Sequence, residues 1–251
     1  MSLFNEKLKN IHLKEVLILI ICLFLIQYAL SYFNIVHVDS SVIYFCIILY
    51  FVVKLRPNFP DRDDVAEVFS FDLLKYVILI VVMNIFLSYG FLYLSEVIIR
   101  IFPSFNFISI LGNVSNSIIG FGLISTVLIS PISEELLFRG VFLNRLKFVV
   151  PPLFAILISS LLFASLHSYG NIISAFIFAL CMAILYVKTD NILVPIFAHF
   201  LNNLIAEIVV FVDCNNVLFN NGSVIMCVSV LAVISFIVVS HSIIKELNSI
   251  K

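Results

Sequence analysis

A chain of 251 residues that is 63% hydrophobic and only 12% charged cannot be an ordinary soluble domain, where those shares run near ~45–50% and ~25%. A net charge of −1 leaves no broad cationic field for nucleic acid. The composition fits a protein whose outer face is lipid.

In chain order, Lys7, Lys9 and Lys14 precede an apolar run from Val16 to Leu30. The run is long, no small-residue cleavage site follows it, and further apolar runs come after. It therefore reads as an uncleaved first span rather than a secretory signal. A window of ~19 residues then places spans at 16–33, 41–53, 72–94, 117–138, 152–168, 171–187, 192–212 and 224–244. The second is short, and several others need tilt or thinner lipid-facing stretches. Between the second and third, Lys54 to Ser70 carries Pro57, Pro60 and the cluster Asp61-Arg62-Asp63-Asp64, which reads as a cytoplasmic linker.

The cations sort cleanly by side. With the N-terminus inside, the inner side collects Lys7, Lys9, Lys14, Lys54, Arg56, Arg62, Lys75, Arg145, Lys147, Lys188, Lys245 and Lys251, and the outer side only Arg100. The positive-inside rule then puts both termini in the cytoplasm. The expected fold is all-α: one polytopic transmembrane helical bundle over 1–251 with about eight spans. Spans one to three occupy 1–116, a polar-bearing core 117–212, and the last span and cytoplasmic tail 213–251. Cys22, Cys46, Cys181 and Cys227 fall in apolar runs and read as buried thiols. Cys214 falls in an external loop without an evident partner, so no disulfide framework is expected.

Ionisable groups at membrane depth cost ~2.5–3.5 kcal/mol each and usually mark function. Here they concentrate late in the chain, at Glu134, Glu135 and Arg139, at His167, and at His199 with Asn203 and Glu207. Glu135 and Arg139 are four apart and can pair on one helix face, while Glu134 is turned by ~100°. That leaves Glu134 available as a general base; the plainer reading is a single structural ion network that includes both glutamates. Phe163, four residues before His167, is expected to lie against that imidazole. His199 and Asn203 share a face, with Glu207 a turn further along, either tuning His199 or lining a cavity. Asn171 repeats the spacing after His167 across Gly170 and carries no weight.

Pro151-Pro152 marks a turn with Glu134 and His167 at similar chain distances on either side. If helix runs on from Glu134 to about Val149, both residues climb ~25 Å from that turn and lie side by side on antiparallel neighbours. Pro131 is the expected kink in that helix. His199, near the inner end of its span, is harder to match in depth.

Taken in order, Glu134-Glu135-x-x-x-Arg139, Phe163-x-x-x-His167 and His199-x-x-x-Asn203 resemble the three signatures of the CPBP family. This family of intramembrane proteases includes CAAX-processing (type II prenyl endopeptidase) enzymes and bacterial Abi or bacteriocin-immunity-like proteins. The resemblance covers residues 117–212, and no motif position is substituted. It implies a CAAX-protease-like intramembrane metalloendopeptidase acting on a membrane-associated peptide or protein. Glu134 would activate water, with Glu135 and Arg139 as structural support. His167, His199 and Asn203 would complete the site, as ligands of a divalent metal such as zinc or as donors to the oxyanion. Two histidines and a carboxylate suit catalytic zinc, but the spacing is not HExxH, so metal dependence is left open. Asparagine is a poor zinc ligand, which favours an orienting or oxyanion role for Asn203.

Two other functions fit part of this pattern. A bacteriocin-immunity or regulatory membrane protein would work by binding a peptide or partner and would tolerate loss of Glu134. A proton- or ion-coupled transporter would explain buried Glu and His, but no inverted repeat or Gly-rich broken helix pair is present. With Gly 7, Trp 0 and Phe 26, the composition suggests an AT-rich bacterial genome and hence a bacterial plasma membrane.

Overall fold

The computed structural model describes residues 2–34, 39–101, 121–166, 172–213 and 215–250. The described chain is helical, with no strand: α1 (Leu3–Lys9), α2 (Leu13–Tyr32), α3 (Ser40–Leu55), α4 (Arg62–Val68), α5 (Phe71–Ile101), α6 (121–146), α7 (Pro152–Ser165), α8 (Ile172–Thr189), α9 (Leu193–Val212), α10 (Val217–Asn220) and α11 (Gly222–Ser249). Over the described residues, each expected span overlaps one of these helices. Five of them, α2, α5, α8, α9 and α11, are long and apolar enough to cross a membrane, and α3 and α7 are shorter apolar helices. The protein is an all-α membrane helical bundle.

Burial orders the bundle from the inside out. In α8, 56% of the apolar window is buried, against 6% in α2. α8 is thus the central helix, and its Phe178, Met182 and Tyr186 meet Ile156 and Phe163 of α7 and Leu143 of α6 in one core. α2 turns Ile18, Phe24, Leu25 and Tyr28 outward, as a helix bathed in lipid does. Cys22 and Cys227 are also exposed, which corrects the expectation of buried thiols; among the described residues only Cys181 is a fully buried cysteine, and Cys214 lies outside them. A small apolar residue on the outer face of a membrane helix costs nothing in lipid, so an apolar run alone does not report burial.

The stretch expected as a linker contains a helix. Asp61 caps α4 by accepting from the Asp64 amide at 2.8 Å, and Asp64 accepts in return from the Asp61 amide at 3.2 Å. This capping box makes α4 a fixed piece of one end of the bundle. Asn5 of α1 donates to Asp64 at 3.3 Å and accepts from the Ile192 amide at 3.1 Å. Asn191 donates to the Asp64 carbonyl at 2.8 Å and to Glu67 at 3.0 Å. The tight α8–α9 turn puts Asp190 at φ 54, a left-handed conformation that Asp tolerates, and pairs it with Lys9. Lys7 caps the Arg56 carbonyl at 2.8 Å, Arg145 the Ile11 carbonyl at 2.7 Å, and Lys188 pairs with Glu246. The cationic segments sorted to one side by sequence therefore meet at one end of the bundle. Burial there, reinforced by Lys9, holds the Lys147 amine below the usual lysine range.

α6 departs most from the expected geometry. It runs past the span boundary at 138 to Leu146, close to the continuation to about Val149 considered from sequence, but it widens into π-helix at Ser125–Ile129 and Leu136–Leu143. The first widened stretch ends just before Pro131, which lacks an amide hydrogen and would crowd a regular turn behind it. Wider turns relieve that crowding and are frequent at functional sites. Side chains donate into their carbonyls: Ser159 to Phe138 at 3.1 Å, Asn144 to Gly140 at 2.8 Å, and Asn203 to Thr126 at 2.9 Å.

Candidate active site

Glu134 and Glu135 sit in the α-helical segment between the two widened stretches of α6 and point in different directions. Glu135 is fully buried and accepts from Arg139 Nη1 at 3.0 Å, the four-residue pairing the spacing implies. Arg139 is equally buried, donates its Nη2 to the Ala179 carbonyl of α8 at 3.1 Å, and stacks its guanidinium 4.5 Å from the Phe163 ring. A buried ion pair of this kind gains its stability from such extra contacts.

The same Glu135 oxygen contacts His199 Nδ1 of α9 at 2.8 Å. A carboxylate beside Arg139 only accepts, so Nδ1 carries the hydrogen and donates. That fixes the tautomer and turns Nε2 towards Glu134, whose Oε2 lies 4.0 Å away. The rings of Phe178 and Phe163, centred 5.1 and 5.9 Å from the imidazole, hold it edge-on. The depth mismatch expected for His199 is absent, because α9 packs against both the Ser125–Ile129 turn and the segment bearing the glutamates.

Glu134 faces a cavity of about 680 Å³ between α2, α3, α6 and α7. The walls are largely apolar, among them Ile43, Ile47, Leu137, Phe138 and Phe142. Its polar neighbours bear hydroxyls: Ser130 donates to Glu134 Oε1, and Tyr44 of α3 lines the same cavity. Asn203 lies one turn beyond His199 and accepts from Asn202 at 3.3 Å, while Asn202 accepts from Asn84 of α5 at 2.8 Å. The structure thus brings together Glu134, Glu135, Arg139 and His199, with Asn203 tied to the Thr126 turn of the same α6. His167 and Asn171 lie outside the described residues. Glu207 is two turns past His199 on α9, on its less buried stretch.

Among the described residues no group of three His, Cys, Asp or Glu side chains is gathered to hold a metal ion. Glu134 and His199 Nε2 suit a divalent cation in kind, and a carboxylate holding the far ring nitrogen is how metal-bound histidines are usually oriented.

A family model described as type II CAAX prenyl endopeptidase Rce1-like matches residues 116–205. Over that segment the chain is similar to the CAAX-protease family. No curated protein and no solved structure matches the chain. The CAAX-protease segment includes α6 through most of α9, and with them Glu134, Glu135, Arg139, His167, His199 and Asn203. Tyr44 and Asn84 stand outside it, on α3 and α5. Sequence reasoning missed both, together with Ser130 and Asn202. Ser130 was within reach, since it stands four residues before Glu134 on the same face. A tyrosine and an asparagine alone in apolar spans give no spacing to read.

Proposed function

We propose that the chain is an intramembrane endopeptidase that hydrolyses a peptide bond of a membrane-associated protein or peptide. One observation carries the reading: Glu134 borders an apolar cavity opposite the Nε2 of a histidine fixed by a buried Glu135–Arg139 pair. The CAAX-protease segment supports the same chemistry.

Glu134 draws a proton from water as the water oxygen bonds to the scissile carbonyl carbon. The carbonyl oxygen becomes an oxyanion, and the proton passes to the leaving amine as the C–N bond breaks. The Asn203 amide carries two hydrogens, one of which is committed to Thr126, and the second is available for the developing oxyanion. Glu135 and Arg139 keep His199 in one tautomer and one rotamer. When bound, a divalent metal such as zinc supplies Lewis acidity towards the carbonyl oxygen; His199 Nε2 and His167 are the side chains that would hold it. An apolar cavity suits a substrate that is itself anchored in the bilayer, and the cationic inner end fits a bacterial plasma membrane with both termini cytoplasmic.

The test is cleavage of a library of quenched peptides by purified protein in detergent, with and without a chelator. Glu134→Gln is expected to lower cleavage ~10²–10⁴-fold, the range for a general base. Loss in the chelator as well identifies a metalloprotease; loss in the variant alone identifies metal-free water activation. Cleavage undiminished in Glu134→Gln removes the basis of the proposal.

A further inference from the structure

The side of Glu134 away from His199 faces hydroxyl-bearing residues of two separate helices. Ser130 comes from α6 itself, one turn before Glu134, and its hydroxyl donates to Oε1. Tyr44 comes from α3, which lies outside the CAAX-protease segment and packs against the turn bearing Ser130 and Glu134. Tyr44 and Glu134 also line the same cavity. Beside Tyr44 on the cavity-facing side of α3 stand Ile43 and Ile47, both apolar core residues, with Ser40 at the start of the helix.

A phenol in that setting is not explained by packing. Phenylalanine would fill the same space without bringing a hydroxyl into an apolar wall, where an unmet polar group is costly. A carboxyl group bordering such a wall needs hydrogen-bond donors to hold it in one orientation. With Oε1 held by Ser130, the other oxygen turns to His199 Nε2, the arrangement found at 4.0 Å.

We propose that Tyr44, acting with Ser130, is a positioning residue for Glu134, so that α3 completes the site from outside the family segment. The pair fixes the carboxyl plane so that one oxygen is left to the water between Glu134 and His199. Only the kinetic arm of the test rests on the hydrolase reading.

Tyr44→Phe removes the hydroxyl and keeps the ring, and Ser130→Ala removes the second donor from another helix. Two measurements on the full-length protein in detergent decide the matter. The first is the infrared band of the Glu134 carboxyl, identified by its loss in Glu134→Gln. It is expected to shift in both Tyr44→Phe and Ser130→Ala, and this arm needs no substrate. The second is the steady-state rate on any peptide that the wild type cleaves. In Tyr44→Phe, kcat is expected to fall ~10–100-fold with KM within about twofold, because misorientation of a reacting group is read in kcat. Thermal unfolding of each variant separates this from a folding defect, and if Tyr44→Phe does not fold, Ser130→Ala decides by the same two readouts. An unmoved carboxyl band overturns the proposal, as does an unchanged kcat. A shifted band in a protein that cleaves nothing upholds the positioning role while the hydrolase reading fails.

Discussion

Glu134 and Glu135 are neighbours in sequence with opposite fates. Glu135 is sealed between Arg139 and His199, whereas Glu134 borders the cavity. The two positions should therefore respond differently to substitution. Glu135→Ala or Arg139→Ala leaves a buried charge without its partner and is expected to cost ~3–5 kcal/mol, read as a lower unfolding temperature in detergent. Glu134→Gln keeps the shape and the Ser130 contact and is expected to leave that temperature nearly unchanged. Equal destabilisation at all three positions would favour a single structural ion network. The Glu135–Arg139 pair was legible from a four-residue spacing, because helix geometry alone fixes it. The Glu135–His199 contact was not. It joins residues 64 apart in sequence and depends on how deep α9 sits against α6, which packing decides. Phe163 was expected against His167; in the described residues its ring meets Arg139, Phe138 and His199.

At the scale of helices, hydropathy located the elements because apolar runs of bilayer length are unambiguous. It missed α4, although the Asp61-x-x-Asp64 cap was present, because the surrounding prolines and charges suggested a linker. It also missed the widened turns of α6, whose shift in periodicity is too small to read across a few turns of near-continuous apolar sequence. The close crossing of α5 and α11 was likewise invisible. A Cβ placed on Gly90 would stand 2.3 Å from the Ala232 Cβ, while one on Gly122 meets nothing within 4 Å. Gly90→Ala is thus expected to lower the unfolding temperature and Gly122→Ala to leave it level or raise it slightly, since alanine is the better helix former. Membrane helices join through small residues and side-chain hydrogen bonds, and the Asn84–Asn202–Asn203 chain is the second kind. Asn84→Leu is expected to cost about 0.6 kcal/mol of stability, the average for such bonds, and to lower cleavage several-fold through Asn203. Unchanged cleavage would detach α5 from the site.

Across the whole molecule, one end gathers the N-terminal helix, α4, the α6–α7 turn, the α8–α9 turn and the end of α11, through Asn5, Asn191, Arg145 and Lys188. The other end is tied by Tyr93, which donates to the Leu218 carbonyl at 2.7 Å. Individual surface ion pairs of this sort contribute little, ~0–1 kcal/mol each, but their shared location matches the side to which the cations sort. In a cysteine-free background, Asn220→Cys is expected to react with an impermeant maleimide on intact cells, and Asp63→Cys only after permeabilisation. The reverse pattern would invert the orientation.

The central claim is that Glu134 does chemistry while Glu135 and Arg139 hold the site together. Its most direct test is a paired measurement on Glu134→Gln, cleavage of a peptide that the wild type cuts and the unfolding temperature of the same sample. The account predicts cleavage lowered at least ~10²-fold, as expected for removal of a general base, with the temperature unmoved. Cleavage at the wild-type rate from a stable Glu134→Gln protein would contradict it.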